Sequence, residues 1–190
     1  ASLFMIEASM HIPPGYALFI PSAFRKAVDI PVVGVGRFKD PLQAERAIAH
    51  GVQMAKEGAD ILDVGGESTR PGSEGVPEAE ELRRILPVIK ALAGQGLTVS
   101  VDTRKANVMR AALKAGARIV NDVAALTYEP AAMQAMAEAT CPVILMHAQG
   151  DPKTMQLSPR YDDVALDVFD WLEARIEACV AAGIARERIV

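Results

Sequence analysis

Gly58-Ala-Asp-Ile-Leu-Asp-Val-Gly-Gly-Glu-Ser-Thr-Arg-Pro-Gly72 is the stretch that decides the fold. Its apolar run, Ile61 to Val64, reads as a buried strand, interrupted by Asp63 and ended by Gly65-Gly66. A carboxylate in a buried strand is costly unless it is paired or used. Paired glycines at a strand end let the backbone turn sharply or come close to another group. A polar loop follows, carrying a hydroxyl, a guanidinium and a proline. The pattern recurs more weakly in Thr98-Val-Ser-Val-Asp-Thr103, in Arg118-Ile-Val-Asn-Asp122 and in Pro142-Val-Ile-Leu-Met-His147. Four successive apolar segments thus finish on polar groups. In a parallel α/β protein those ends share one face, and sites are built on that face.

Strand and helix signals alternate along the rest of the chain. Strands are expected over 3–8, 31–36, 60–64, 98–102, 118–122 and 142–147, and helices over 21–28, 41–57, 77–92, 104–115, 129–139 and 161–182. Pro41 and Pro77 suit first helical turns, and Gly58, Gly94, Gly116 and Gly183 fall where a glycine ends a helix. Val108, Ala111, Ala112 and Ala115 make one helical stripe, the spacing of a helix laid on a sheet. Such alternation predicts an α/β fold of TIM-barrel-type (β/α) units with parallel strands, a single barrel-type domain over 1–190. Arg188-Ile-Val190 reads as the start of a further strand. A closed eight-stranded barrel takes about 250 residues. The barrel is therefore expected to be incomplete, or completed by a second protomer in a homodimer.

Composition narrows the function. With 190 residues, 51% of them hydrophobic, the chain can bury a sizeable core. The net charge of −4 is spread through both signs, without the basic stripe that nucleic acid or a membrane surface would require. No apolar run approaches the roughly 20 residues of a membrane span, and no signal peptide is evident. Cys141 and Cys179 read as two reduced, buried thiols, which suits the cytoplasm. With no Cys/His cluster, no structural zinc is expected.

Residues 50–190 resemble dihydropteroate synthase. The likeness rests on the long stretch from Gly58 to Pro71, followed in order by Ser100-Val-Asp-Thr-Arg-Lys105, Ile119-Val-Asn-Asp-Val123, Val143-Ile-Leu-Met-His147 and Gly183-Ile-Ala-Arg-Glu-Arg-Ile-Val190. That family joins 6-hydroxymethyl-7,8-dihydropterin diphosphate to p-aminobenzoate in folate biosynthesis; sulfonamides mimic the latter. The resemblance implies that Asp102 and Asn121 are the catalytic, pterin-binding pair. A carboxylate can accept two parallel donors from an aminopyrimidine edge, and an amide offers a donor beside an acceptor. It also implies that Thr69 meets the diphosphate, that Arg70 lies near p-aminobenzoate, and that Met146 packs on the pterin face. Mg2+ is expected to arrive with the diphosphate, with no protein metal site. Asp63 is expected to order the loop behind it, His147 to stand behind the site, Trp171 and Phe169 to fill the core, and Glu78 to Glu81 to form an exposed first helical turn.

Other readings attach to the chain's ends. Met10-His-Ile-Pro-Pro-Gly-Tyr16 and Ile30-Pro-Val-Val-Gly-Val-Gly-Arg-Phe-Lys-Asp-Pro41 resemble late strands of the old yellow enzyme family, flavin-dependent barrels. Two origins fit: a natural or engineered recombination of two barrel enzymes with the join near 44–50, or a natural divergent N-terminus. No flavin is expected; the rival readings are a flavin-binding oxidoreductase fragment, resting on Gly34-Val-Gly-Arg37, and a folded barrel chimera without catalysis. The family's first loop and its sixth- and eighth-strand residues are missing from the sequence, which implies that pterin binding survives better than turnover.

Overall fold

The computed structural model describes residues 4–6, 32–36 and 44–190. Among these, the strands are β1 (Phe4–Ile6), β2 (Val32–Gly36), β3 (Ile61–Gly65), β4 (Val99–Asp102), β5 (Ile119–Asp122) and β6 (Val143–Leu145). The helices are α1 (Ala44–Lys56), α2 (Glu78–Ala93), α3 (Ala106–Ala115), α4 (Pro130–Glu138) and α5 (Val164–Ala181). The expected helix over 21–28 and the segment 10–16 lie outside the described residues, as do Arg37 and Pro41.

All neighbouring strands pair in parallel, and their order in the sheet is their order in the chain. Right-handed crossovers in one unbroken order put every helix on the same face. This is barrel-type progression; a doubly wound sheet reverses order partway. Beyond β6, Ile189 bridges to Val143, and Val190 exchanges backbone bonds with Val143 and Leu145 at 2.9 and 3.0 Å. The expected further strand therefore begins where the sequence placed it.

The register sorts the side chains. Val64, Val101, Val120 and Val143 lie in one row across β3 to β6, while Gly65, Asp102, Asn121 and Ile144 form the next. Side chains alternate across a strand, so the valines face the helices and the second row faces the interior. Val101, Val120 and Val143 are fully buried, against Ile85, Ile89, Met109 and Met136 of the helices. Asp63 and Ser100 pair with each other one layer below Gly65 and Asp102, so they too face inward.

Several expectations need correction. Glu81 is not on an exposed turn: it is 0% exposed and bonded to the start of α3. Phe169 is 59% exposed, whereas Trp171 is half-buried with its ring 5.0 Å from that of His147. The buried stripe of α3 runs through Ala106, Val108, Met109 and Ala112. Gly94 keeps right-handed geometry, and Gly96 two residues on takes the positive φ. Cys179 is buried and Cys141 half-buried; burial raises both thiols, so they stay protonated.

Candidate functional site

The polar ends of β3, β4 and β5 meet inside the curved sheet. Asn121 is buried and its Nδ2 donates to Asp63 Oδ2 at 3.2 Å. Asp63 Oδ1 and Asp102 Oδ1 are buried without a hydrogen-bond partner. The Ser100 hydroxyl approaches Asp63 without reaching good hydrogen-bond geometry. Burial pushes the Asp63 carboxyl above its usual range, against the pull of Ser100 and Asn121. Burial also drives Asp102 well above its usual range, and repulsion from Asp63, Asp122, Glu81 and Glu67 adds to it. Crowded acids with unmet oxygens mark a candidate site, able to receive donors from outside the fold.

The glycine pair makes this arrangement possible. A Cβ on Gly65 would stand 3.3 Å from both Cβ and Oδ2 of Asp102, so the missing side chain leaves room for the carboxylate. A Cβ on Gly66 would stand 2.9 Å from Glu81 Cγ and Ile85 Cγ2, so the strand exit can lie flat against α2.

A second set of charges occupies the helix side of the same ends. Lys105 Nζ donates to Glu67 Oε2 at 2.7 Å, to Val76 O at 2.8 Å and to Glu81 Oε2. Thr103 Oγ1 donates to Glu81 Oε1 at 2.6 Å. Arg104 Nε donates to Glu67 Oε1 at 2.9 Å, while its guanidinium lies 4.1 Å above the Tyr128 ring. Burial pulls Glu67 upward, but bonds from Lys105, Val76 and Arg104 overcome it and hold the carboxyl below its ordinary value. Lys105 stays above its usual range for the same reason, despite burial. Helix α3 starts at Ala106 instead of Arg104 because this segment is used as an anchor. The Ala106 amide donates to Glu129 Oε1 at 2.6 Å, and neither Asp102 nor Thr103 caps the helix.

Beyond the strand ends lies a cleft of about 380 Å³ lined by Thr69, Arg104, Tyr128, Met146, Asp151 and Trp171, among others. Its Val123–Tyr128 wall is held by Asp122, whose carboxylate accepts the amides of Ala124 and Leu126 at 2.8 and 2.9 Å. Ala125 and Leu126 both have positive φ, and Arg175 of α5 fixes the turn through two bonds to Ala125 O. Burial raises Asp122 to about 6, against those amide bonds.

The sequence-predicted residues thus fall into two adjoining places. Asp102 and Asn121 are neighbours in register within the interior row. Thr69 and Met146 line the cleft, and Arg70 lies in the loop beside it, where its carbonyl accepts from the Ser73 amide at 3.0 Å. His147 packs between the Tyr161 and Trp171 rings. Asp63 does not order the loop behind it: it bonds Asn121, and Glu67 orders the loop instead. Sequence reasoning passed over Glu67 and Asp122. Each is an acid at or just past the end of an apolar strand, the signal that marked Asp102.

Comparison with known proteins agrees with this geometry. The family described as "Pterin binding enzyme" matches residues 36–190, starting before the expected join at 44–50. The dihydropteroate synthase of Neisseria meningitidis serogroup B is 49% identical over 148 residues, which cover 77% of this chain and 52% of that protein. The chain spans about half the length of the curated relatives it matches. A Yersinia pestis dihydropteroate synthase solved with a sulfonamide drug is 43% identical, with a TM-score of 0.78 over 84% of this chain and 61% of that one. A Xanthomonas albilineans dihydropteroate synthase solved with 4-aminobenzoic acid is 48% identical, with a TM-score of 0.77 over 85% and 60%. The resemblance of 1–45 to flavin-dependent barrels gains no support from these matches. On the family match and the shared fold, the chain belongs to the pterin-binding enzyme family.

Proposed function

We propose that the chain carries the pterin-recognition site of a dihydropteroate synthase and takes part in that reaction. The observation behind this reading is the unpartnered, buried Asp102 Oδ1 on the strand position paired in register with Asn121. Ionised, Asp102 can accept two parallel N–H groups from an aminopyrimidine, while Asn121 supplies mixed donor and acceptor capacity. Such binding removes the cost of leaving the carboxylate empty, so the slot favours a flat donor edge over water. Thr69 then meets the diphosphate, Arg70 the p-aminobenzoate, and Met146 and Val123 flank the ring.

In the proposed reaction, the methylene–oxygen bond to diphosphate breaks and diphosphate takes the electron pair. The amine nitrogen of p-aminobenzoate bonds to the methylene carbon and loses a proton. The chain's contribution is alignment and exclusion of water around a developing cation. Among the described residues, no set of three His, Cys, Asp or Glu side chains gathers around a metal-sized gap. In this reading Mg2+ arrives as part of the diphosphate substrate, and no step is assigned to it. Sulfonamides would occupy the p-aminobenzoate position, a second copy of the chain would cover an open sheet edge, and the cytoplasm would be the setting. No helix among the described residues is long and apolar enough to cross a membrane.

Calorimetric titration with 6-hydroxymethylpterin tests the reading. Saturable binding is expected, weakened about 100-fold or more in Asp102→Ala, the loss of two charge-assisted hydrogen bonds. Binding of equal strength in both proteins, or none in either, would sink it.

A further inference from the structure

Three hydrogen-bond donors from two segments converge on Glu67. Its Oε2 accepts the Val76 amide at 2.7 Å and Lys105 Nζ at 2.7 Å; its Oε1 accepts Arg104 Nε at 2.9 Å and lies 2.8 Å from Arg104 Nη2 in an ion pair. The side chain is almost wholly enclosed. Val76 stands at the far end of the loop that Glu67 begins, so one carboxylate pins both ends together. Arg104 and Lys105 lie two and three residues after Asp102 in the chain, so it also pins the loop to the strand end that carries Asp102. Between the pins, the Ser73 hydroxyl bonds Ser68 O and the Gly72 amide bonds Pro152 O at 2.8 Å, drawing the loop toward the cleft that Thr69 lines.

We propose that Glu67 is a positioning residue: it sets the distance between the loop carrying Thr69 and Arg70 and the slot at Asp102, and so governs how the anionic tail of the substrate is held. What fills the slot rests on the pterin-binding reading; the clamp itself does not. Two cations and an amide share this one carboxylate. Its charge therefore matters as well as its shape, and an amide of the same length replaces only part of its work.

The test compares the wild-type chain with Glu67→Ala and Glu67→Gln by hydrogen exchange without ligand, then by titration with 6-hydroxymethylpterin and with its diphosphate ester. In Glu67→Ala, exchange over 68–76 is expected to rise about tenfold or more while Val99–Asp102 keeps its protection, with a smaller rise in Glu67→Gln. Affinity for 6-hydroxymethylpterin should stay within about twofold, while the extra affinity given by the diphosphate falls about tenfold. A residue with a purely structural role would instead loosen β4 and weaken both ligands together. That result, or unchanged loop exchange, overturns the proposal. If Glu67→Ala fails to fold, Glu67→Gln decides by the same loop-against-strand contrast. If the wild-type chain binds neither pterin, the functional reading fails, and the exchange data still decide whether Glu67 clamps the loop.

Discussion

Glu81 and Asp63 both lie at the polar end of the sheet, and both are almost wholly buried. Glu81 meets Lys105 and Thr103, one on each carboxylate oxygen. Asp63 meets one amide through Oδ2 and nothing through Oδ1. The same contrast separates their surroundings. On the helix side, Glu67, Glu81, Lys105, Thr103 and Arg104 complete one another's hydrogen bonds; on the interior side, Asp63 and Asp102 repel each other with oxygens unmet. A satisfied network fixes shape, and an unsatisfied one keeps binding capacity in reserve. The chain places the two back to back across one sheet, so that the first holds the second open.

Removing a charge from each side should have opposite consequences. Lys105→Met leaves Glu81 buried without its cation and Glu67 with Arg104 alone, and the expected loss is about 3–5 kcal/mol in denaturant unfolding. Asp102→Asn removes an acid that burial and neighbouring carboxylates disfavour in its charged form, and stability at neutral pH is expected to rise by about 1 kcal/mol while pterin binding falls. Loss of stability in Asp102→Asn would break the contrast.

Acidity should separate the two sides as well. Asp122 has its folded value raised from 3.8 to about 6. Its stabilisation is fully present below 3.8 and lost as pH rises through 6, a swing of about 3 kcal/mol. Asp63 and Asp102 act in the same direction. Glu67, held below its ordinary 4.5, acts oppositely: its contribution is present above 4.5 and lost as pH falls through its folded value. Unfolding free energies between pH 3 and 7 should show Asp122→Asn flattening the loss on going from pH 4 to 6. Glu67→Gln should remove the loss at the acid end. Unchanged slopes in either variant would assign the titration elsewhere.

The sequence made the order of elements legible because strand ends and helix starts are marked locally, by Gly65-Gly66 at the end of β3 and by Pro77 before α2. It made Asp102 and Asn121 legible because a polar residue at the end of an apolar strand has few uses. Glu81 was misread for a physical reason. An acid in a first helical turn usually faces water, and only the tertiary placement of Lys105 brings it a buried partner. Glu67 was hidden likewise, since its donors come from Val76, Arg104 and Lys105, up to 38 residues away. The split of Thr69 and Met146 from Asp102 depends on how loops fold over the sheet, which local pattern does not encode.

Adjacent glycines give the finest test, because each borders one side of the comparison. Gly66→Ala forces a Cβ to 2.9 Å from Glu81 Cγ and Ile85 Cγ2, both on a packed helix. Overpacking of that kind costs about 1–3 kcal/mol, and it should appear as lost stability with pterin affinity little changed. Gly65→Ala meets Asp102 more loosely, its Cβ and Oδ2 at 3.3 Å and its carbonyl oxygen at 3.5 Å. A carboxylate without a fixed partner can shift by a few tenths of an ångström, so stability should fall by less than about 1 kcal/mol. That same shift would misalign the two oxygens proposed to receive the aminopyrimidine, and pterin affinity should drop about tenfold. If Gly65→Ala lowers stability more than Gly66→Ala and leaves pterin affinity intact, then Asp102 is held by the fold rather than kept for a ligand.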